Sequence, residues 1–291
     1  MQGVQVAVVG GDRREAEAAR FLAMRGARVR VWGQPAARLG EGVQVAARAE
    51  EALAAARVVV GPVRGTDGAG RIWSEAGPLE LGEKAWGALD AGTLFLIGVG
   101  DAILRDGVAA RGARLVEYRE RDDFAIWNSV PTAEGAVFMA LKEMDVTLHG
   151  SSCLVLGLGR TGLTLARLLR AMGATVTVVA RRSACLARAE EMGCRGAALD
   201  GLEEAVAGAD VIFNTIPAPV LHAGVLRRVP AGCIIIDLAS APGGTDFAFA
   251  AARGLRASLA PGLPATKAPV TAGRILGRVV EQIWREMQTG G

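Results

Sequence analysis

The sequence lacks the patterns by which several common chemistries declare themselves. It has only two histidines in 291 residues, and neither stands where a general base is expected. Its four cysteines, Cys153, Cys185, Cys194 and Cys233, form no Cys-x-x-Cys pair and have no histidine at metal spacing, so no zinc site is expected. An excess of one charge is also missing. The 33 Lys and Arg against 30 Asp and Glu leave a net charge of +3, and the arginines are scattered, which argues against nucleic acid as a partner. No apolar run is long enough to span a bilayer, and no signal-like segment opens the chain. A reduced cytosolic protein is expected, with Cys153 and Cys233 as buried thiols in apolar strand runs.

At 51% hydrophobic residues, a chain of this length can build two domains with substantial cores. Its most informative stretch is Val155-Leu156-Gly157-Leu158-Gly159-Arg160-Thr161-Gly162. The apolar run Ser152 to Leu156 reads as a buried strand that enters a three-glycine turn. Leu163, Ala166, Leu169 and Ala171 then mark a helix, and Thr175 to Val179 a second strand. This is the context a dinucleotide fingerprint requires. Gly157 permits the tight turn, Gly159 lets the backbone approach a pyrophosphate, and Gly162 lets helix pack on strand. The helix N-terminus offers N–H groups and a positive dipole end to the phosphates.

The second strand ends in Arg181-Arg182-Ser183, where an NAD site carries an acid for the ribose hydroxyl. Donors in that place suit a 2′-phosphate instead, so the expected cofactor is NADP. Further strands at 210–214 and 233–238 end in Asn214-Thr215-Ile216-Pro217 and in Asp237-Leu238-Ala239-Ser240. In an open α/β sheet ligands lie beyond the carboxyl ends of the strands. Asn214, Thr215, Ile216, Pro217, Asp237 and Ala239 therefore join the glycine loop and the basic tip as expected cofactor contacts.

The first half repeats the pattern with strands at 4–9, 28–32, 58–60, 93–97 and 114–116, alternating with helical stretches. Gly10-Gly11-Asp12 is not a full fingerprint, so no nucleotide is expected there. The fold class is α/β, with two doubly wound, parallel-sheet, Rossmann-like domains joined by two crossing helices. The expected division is 1–130, completed by a C-terminal helix over 271–291, and 131–270, which holds the cofactor. A linking helix is expected over 131–145, with Pro131 at its first position.

Several segments are more specific than the fingerprint. Gly10-Gly11-Asp12 with Arg14, Arg121-Asp122-Asp123, Asn128-Ser129-Val130-Pro131-Thr132-Ala133-Glu134-Gly135 and His149-Gly150-Ser151 resemble the A chain of dipicolinate synthase. So do Leu156 through Gly162, Asn214 through Pro217, Asp237 through Ser240, Pro242 through Phe247 and Ala260 through Pro264. The resemblance implies NADP-linked oxidation of dihydrodipicolinate to dipicolinate in the mother cell of a sporulating bacterium. It also implies a partner, the flavoprotein-like B chain of dipicolinate synthase. The family often carries a lysine directly before Thr271-Ala272-Gly273, where Val270 stands here. The nearby Lys267 is therefore not given a catalytic role.

Oxidising a dihydropyridine to a pyridine removes a hydride and a proton, and aromatisation drives the step. Clamps for two carboxylates are needed more than strong acid–base groups. Arg14 is a candidate for one carboxylate, with Asp12 orienting it or acting as base. An Asp cap beside a solvated arginine is the plainer alternative. Ser129 and Thr132 at the start of the expected linking helix, with Glu134 in its first turn, form a candidate anion site or simply a capped helix. Arg119 and Arg121 follow another strand end and are weaker candidates. His149 falls at the wrong edge of its strand, and His222 reads as a helix-start residue. Two other readings stay open: a non-catalytic NADP(H)-binding scaffold for a partner, and a two-domain NADP reductase of another small acid. Homo-oligomerisation stays open too.

Overall fold

Short β-branched and apolar runs become the central strands of two parallel sheets in the computed structural model, which describes residues 1–289. The first sheet contains β1 (Gln5–Val9), β2 (Arg28–Trp32), β3 (Val43–Val45), β4 (Val58–Val60), β5 (Leu94–Ile97) and β6 (Arg114–Glu117), in the order β3-β2-β1-β4-β5-β6. The second contains β7 (Ser152–Leu156), β8 (Thr175–Ala180), β9 (Arg195–Ala198), β10 (Val211–Asn214), β11 (Ile234–Asp237) and β12 (Arg256–Leu259), in the order β12-β11-β10-β7-β8-β9. Every pairing is parallel. Both sheets are thus doubly wound, as expected, with switch points between β1 and β4 and between β7 and β10.

Three strands escape the sequence reading: β3, β9 and β12. All lie at sheet edges, where one side is solvated and no continuous apolar run is needed. Arg195-Gly196-Ala197-Ala198 and Arg256-Ala257-Ser258-Leu259 are mostly exposed or half-buried. The central strands β4, β5, β10 and β11 are buried throughout, and helices covering both faces make them read as unbroken hydrophobic runs.

The chain divides into two compact units. One comprises Met1–Asn128 and the segment from Ala268 onward, and the other Ser129–Lys267. In the first unit, the C-terminal helix Pro269–Gln288 lies against the helix Arg13–Met24. Leu276, Val279, Val280 and Ile283 share a core with Ala16, Ala19 and Leu22. Close approach depends on Gly273, where a Cβ would come within 2.5 Å of the Arg14 carbonyl oxygen. The last two positions of the expected 271–291 helix, 290 and 291, lie outside the described residues.

One element corrects the sequence reading. The linking helix does not begin at Pro131; it runs over Asp122–Glu143 with Pro131 in its interior. An interior proline removes one backbone hydrogen bond and costs about 3 kcal/mol. Packing at both ends offsets that cost. Phe124 is buried in the core of the first unit, with Trp127 packed against it. Ala133, Ala136, Val137 and Ala140 are buried in the core of the second. Asp122 and Asp123 supply negative charge to the true first turn.

Candidate functional site

In the second unit, β7 ends at Gly157, which takes φ +88°, a left-handed conformation that costs glycine nothing. Its N–H donates to the Val179 carbonyl at 2.8 Å, tying the turn to β8. Gly162 is buried, and a Cβ there would sit 2.1 Å from the Gly157 carbonyl oxygen. Helix and strand can approach this closely only with glycine. Gly159 caps the helix Arg160–Ala171 without a side-chain hydrogen bond. Nothing lies within 4 Å of where its Cβ would be. The backbone at Gly159 is therefore open to close approach at the positive end of the helix, as a pyrophosphate site demands. Arg160 is exposed and Thr161 half-buried beside it. The Leu158 side chain is buried in the core, so only its backbone remains for a ligand.

At the end of β8, Arg181, Arg182 and Ser183 are all exposed. Neither arginine enters an ion pair among the described residues. Arg182 is the cap position of the helix Ser183–Glu191, again without a side-chain cap. Two cations and a hydroxyl thus stand one residue-run beyond the glycine turn, open to a ligand and not neutralised by carboxylate. The glycine turn fits a dinucleotide.

The ends of β10 and β11 require a correction. Asn214 and Asp237 lie opposite each other in the sheet register and are completely buried. Asn214 Nδ2 donates to Asp237 Oδ1 at 3.0 Å and to the Ile216 carbonyl at 3.1 Å, and its Oδ1 accepts from Ile216 N. Asp237 Oδ1 also accepts from Ala239 N at 3.0 Å. Its Oδ2 accepts from Gly244 N at 2.8 Å and Thr245 Oγ1 at 2.6 Å. Thr215 Oγ1 donates to the Leu156 carbonyl at 2.7 Å. The side chains of Asn214, Asp237 and Thr215 and the N–H of Ala239 therefore pin the loops. Ile216 is half-buried and Pro217 exposed at this edge.

The helix-start argument for an anion site at Ser129, Thr132 and Glu134 does not hold. These residues occupy the middle of the helix Asp122–Glu143, where no backbone N–H is left over by a helix start. The Ser129 and Thr164 hydroxyls are hydrogen-bonded to each other at 2.6 Å, Thr132 is half-buried and Glu134 exposed.

In the first unit, Asp12 caps the helix Arg13–Met24 in a reciprocal box with Glu15. Arg14 is not solvated, nor is it open to a substrate. It is 5% exposed and grips Asp12 with two bonds, Nε to Oδ1 at 2.9 Å and Nη2 to Oδ2 at 2.8 Å. Glu15, fully buried, accepts from Asp12 N at 2.7 Å and Val63 N at 2.8 Å. Its carboxylate fills the place at the helix start that a phosphate would take in a nucleotide site. Ile72 and Leu79 crowd Gly10 and Gly33, and Gly11 N donates to the Trp73 carbonyl at 2.9 Å. The chain itself fills the crevice above β1, consistent with the incomplete fingerprint.

Burial pushes the Glu15 carboxyl up to about 7, against the pull of the Arg14 charge. At Asp12, burial acts upward too, but the hydrogen bonds and charge of Arg14 overcome it and hold the carboxyl below its ordinary value. A raised acid is stabilising when protonated, so the Glu15 contribution is complete below its unfolded value of 4.5 and is lost as pH climbs to about 7. The Asp12 contribution is lost only on acidification below 3.8, outside that window. Glu15→Gln is expected to flatten the decline in unfolding free energy across the upper window, measured by urea denaturation at several pH values. An unchanged slope would assign the titration to another group.

The remaining candidates separate clearly. Arg121 binds Asp123 and Glu286, which fixes helix ends within the first unit. Arg119 is exposed. His149 is an exposed turn residue packed on Gly173, and His222 Nδ1 accepts from Gly224 N at 3.2 Å as a helix cap. Cys153 and Cys233 are buried, and burial pushes the Cys233 thiol up to about 12, which leaves it unreactive.

In comparison with known proteins, the two halves match different families. Residues 5–119 match the N-terminal domain of the dipicolinate synthase A chain. Residues 130–243 match the NAD binding domain of D-isomer specific 2-hydroxyacid dehydrogenases. The dipicolinate synthase A chain of Bacillus subtilis (strain 168) is 40% identical over 293 residues, covering 99% of the present sequence and 98% of that one. The crystal structure of the A chain from Bacillus subtilis superposes with a TM-score of 0.89 at 38% identity, covering 100% of the present protein and 99% of that one. Its counterpart from Bacillus halodurans gives 0.88 at 38% identity, covering 97% and 98%.

Proposed function

The protein belongs to the family of dipicolinate synthase A chains, and from that premise we propose that it oxidises dihydrodipicolinate to dipicolinate with NADP, in the cytoplasm of a sporulating mother cell. The observation that carries the proposal is the open glycine turn of β7 beside an un-neutralised basic tip on β8. The bound cofactor would supply the hydride acceptor for aromatisation of the dihydropyridine, with the accompanying proton released to solvent. The first turn of the helix Arg160–Ala171 would hold the pyrophosphate. Arg181, Arg182 and Ser183 would hold the 2′-phosphate through charge-assisted hydrogen bonds. The buried Asn214–Asp237 pair contributes indirectly, by holding the loops beyond β10 and β11 in one conformation.

Because its relatives are one component of a multi-component synthase, a partner is part of the reading, and the flavoprotein-like B chain is the expected one. No helix among the described residues is long and apolar enough to cross a membrane. The test is to supply NADP and dihydrodipicolinate to this protein alone and with the B chain, and to follow NADPH absorbance. NADPH formation that requires this protein supports the proposal. Formation that persists when it is omitted and only the B chain is present contradicts it.

A further inference from the structure

The carboxyl edge of the first sheet holds a cation that no acid among the described residues neutralises. Arg14 is paired with Asp12 and buried, and Glu15 is satisfied by backbone N–H groups. Several other arginines of this unit also have acids, among them Arg38 with Glu75, Arg71 with Asp67 and Arg105 with Glu117. Arg64 is exposed and enters no ion pair among the described residues. Its guanidinium lies over the ring of Trp73, 4.4 Å from the centroid.

Arg64 is also held in place. It occupies the third position of the turn Pro62-Val63-Arg64-Gly65, closed by Gly65 N donating to the Pro62 carbonyl at 3.0 Å. Val63 N donates to Glu15, Thr66 N to the Val99 carbonyl at 3.1 Å, and Trp73 N to the Gly65 carbonyl at 3.0 Å. Gly65 cannot be replaced without displacing this turn, because a Cβ would lie 1.9 Å from the Val99 carbonyl oxygen. The turn follows β4, and β4 pairs with β1, so Arg64 stands at the carboxyl edge of the sheet, exposed on the outer side of the segment Ile72 to Leu79 that fills the crevice above β1. A flat guanidinium stacked on indole keeps its fork of donors outward and loses little entropy on binding.

We infer that Arg64, stacked on Trp73, anchors a carboxylate of a planar aromatic or dihydroaromatic dicarboxylate substrate in the first unit. This assignment rests on the reaction proposed above and takes over the clamp role that the sequence suggests for Arg14. A carboxylate meets the fork edge-on with two parallel hydrogen bonds, which a lysine cannot reproduce.

The test is calorimetric titration of dipicolinate into the NADP-loaded full-length protein, for wild type, Arg64→Ala and Arg64→Lys, with NADP affinity measured in each. Because Arg64 is exposed and outside any ion pair among the described residues, both variants are expected to fold and to bind NADP as wild type does. Dipicolinate affinity is expected to fall about tenfold or more in Arg64→Ala, the scale of one lost charge-assisted contact, and Arg64→Lys to recover only part of it. In turnover, KM for dihydrodipicolinate rises more than kcat falls. Wild-type affinity for dipicolinate in Arg64→Ala would overturn the anchor while leaving the proposed reaction standing. Absence of dipicolinate binding by the NADP-loaded wild type would likewise overturn the anchor, whereas the proposed reaction stands or falls separately on NADPH formation from dihydrodipicolinate.

Discussion

Replacing Asp237 with alanine is expected to destabilise the protein by about 3–5 kcal/mol, enough to leave much of it unfolded at growth temperature. Four donors converge on this one buried carboxyl group: Asn214 Nδ2, Ala239 N, Gly244 N and Thr245 Oγ1. The surrounding loop is packed tightly, since a Cβ at Gly244 would lie 2.3 Å from the Ala218 carbonyl oxygen. Each buried donor left unmade costs about 1–3 kcal/mol, and the losses are less than additive because the loops can relax. Asp237→Asn separates shape from chemistry. It keeps the volume but points an NH2 group at a backbone N–H, so a loss of about 1–3 kcal/mol is expected. Urea denaturation checks both. An Asp237→Ala variant as stable as wild type would mean that the Asn214–Asp237 pair does not organise this edge.

The second large effect concerns the cofactor. Arg181→Asp is expected to invert the coenzyme preference, weakening NADP and favouring NAD, by at least about tenfold in the affinity ratio. One charge-assisted hydrogen bond contributes about 1.5–3 kcal/mol, and about 1.4 kcal/mol is a factor of ten. The substituted carboxylate adds repulsion of a 2′-phosphate and a new acceptor for a ribose hydroxyl. Arg181 is suited to the role because it is exposed and no acid among the described residues competes for it. Competitive binding of the two coenzymes to the variant checks this. Retained NADP preference would shift the 2′-phosphate contact to Arg182 or elsewhere.

Central strands and the glycine fingerprint were legible in the sequence because their signals are local. Val58–Val60 and the residues from Cys153 to Leu156 are continuous apolar runs, and the spacing of Gly157, Gly159 and Gly162 matches the three backbone constraints of one turn. The edge strands carry no such signal. Pro131 misled because a proline at a helix start and one in a packed helix interior have the same sequence neighbours; the difference lies in Phe124 and Trp127, which join a core formed by distant residues. Asn214 and Asp237 look like ligand groups because polar residues at strand ends often are. Only the register, which sets them side by side across 23 positions, shows that they satisfy each other. Burial of the Arg14–Asp12 pair is likewise a tertiary fact. The stacking of Arg64 on Trp73 joins residues of a loop that has no periodicity of its own.

Equilibrium titration of the wild-type protein with NADP and with NAD, at one ionic strength, tests the cofactor assignment most directly. Tighter binding of NADP by about tenfold or more is the predicted result, as expected when a 2′-phosphate gains charge-assisted bonds at the tip of β8. Equal affinities, or a preference for NAD, would contradict it.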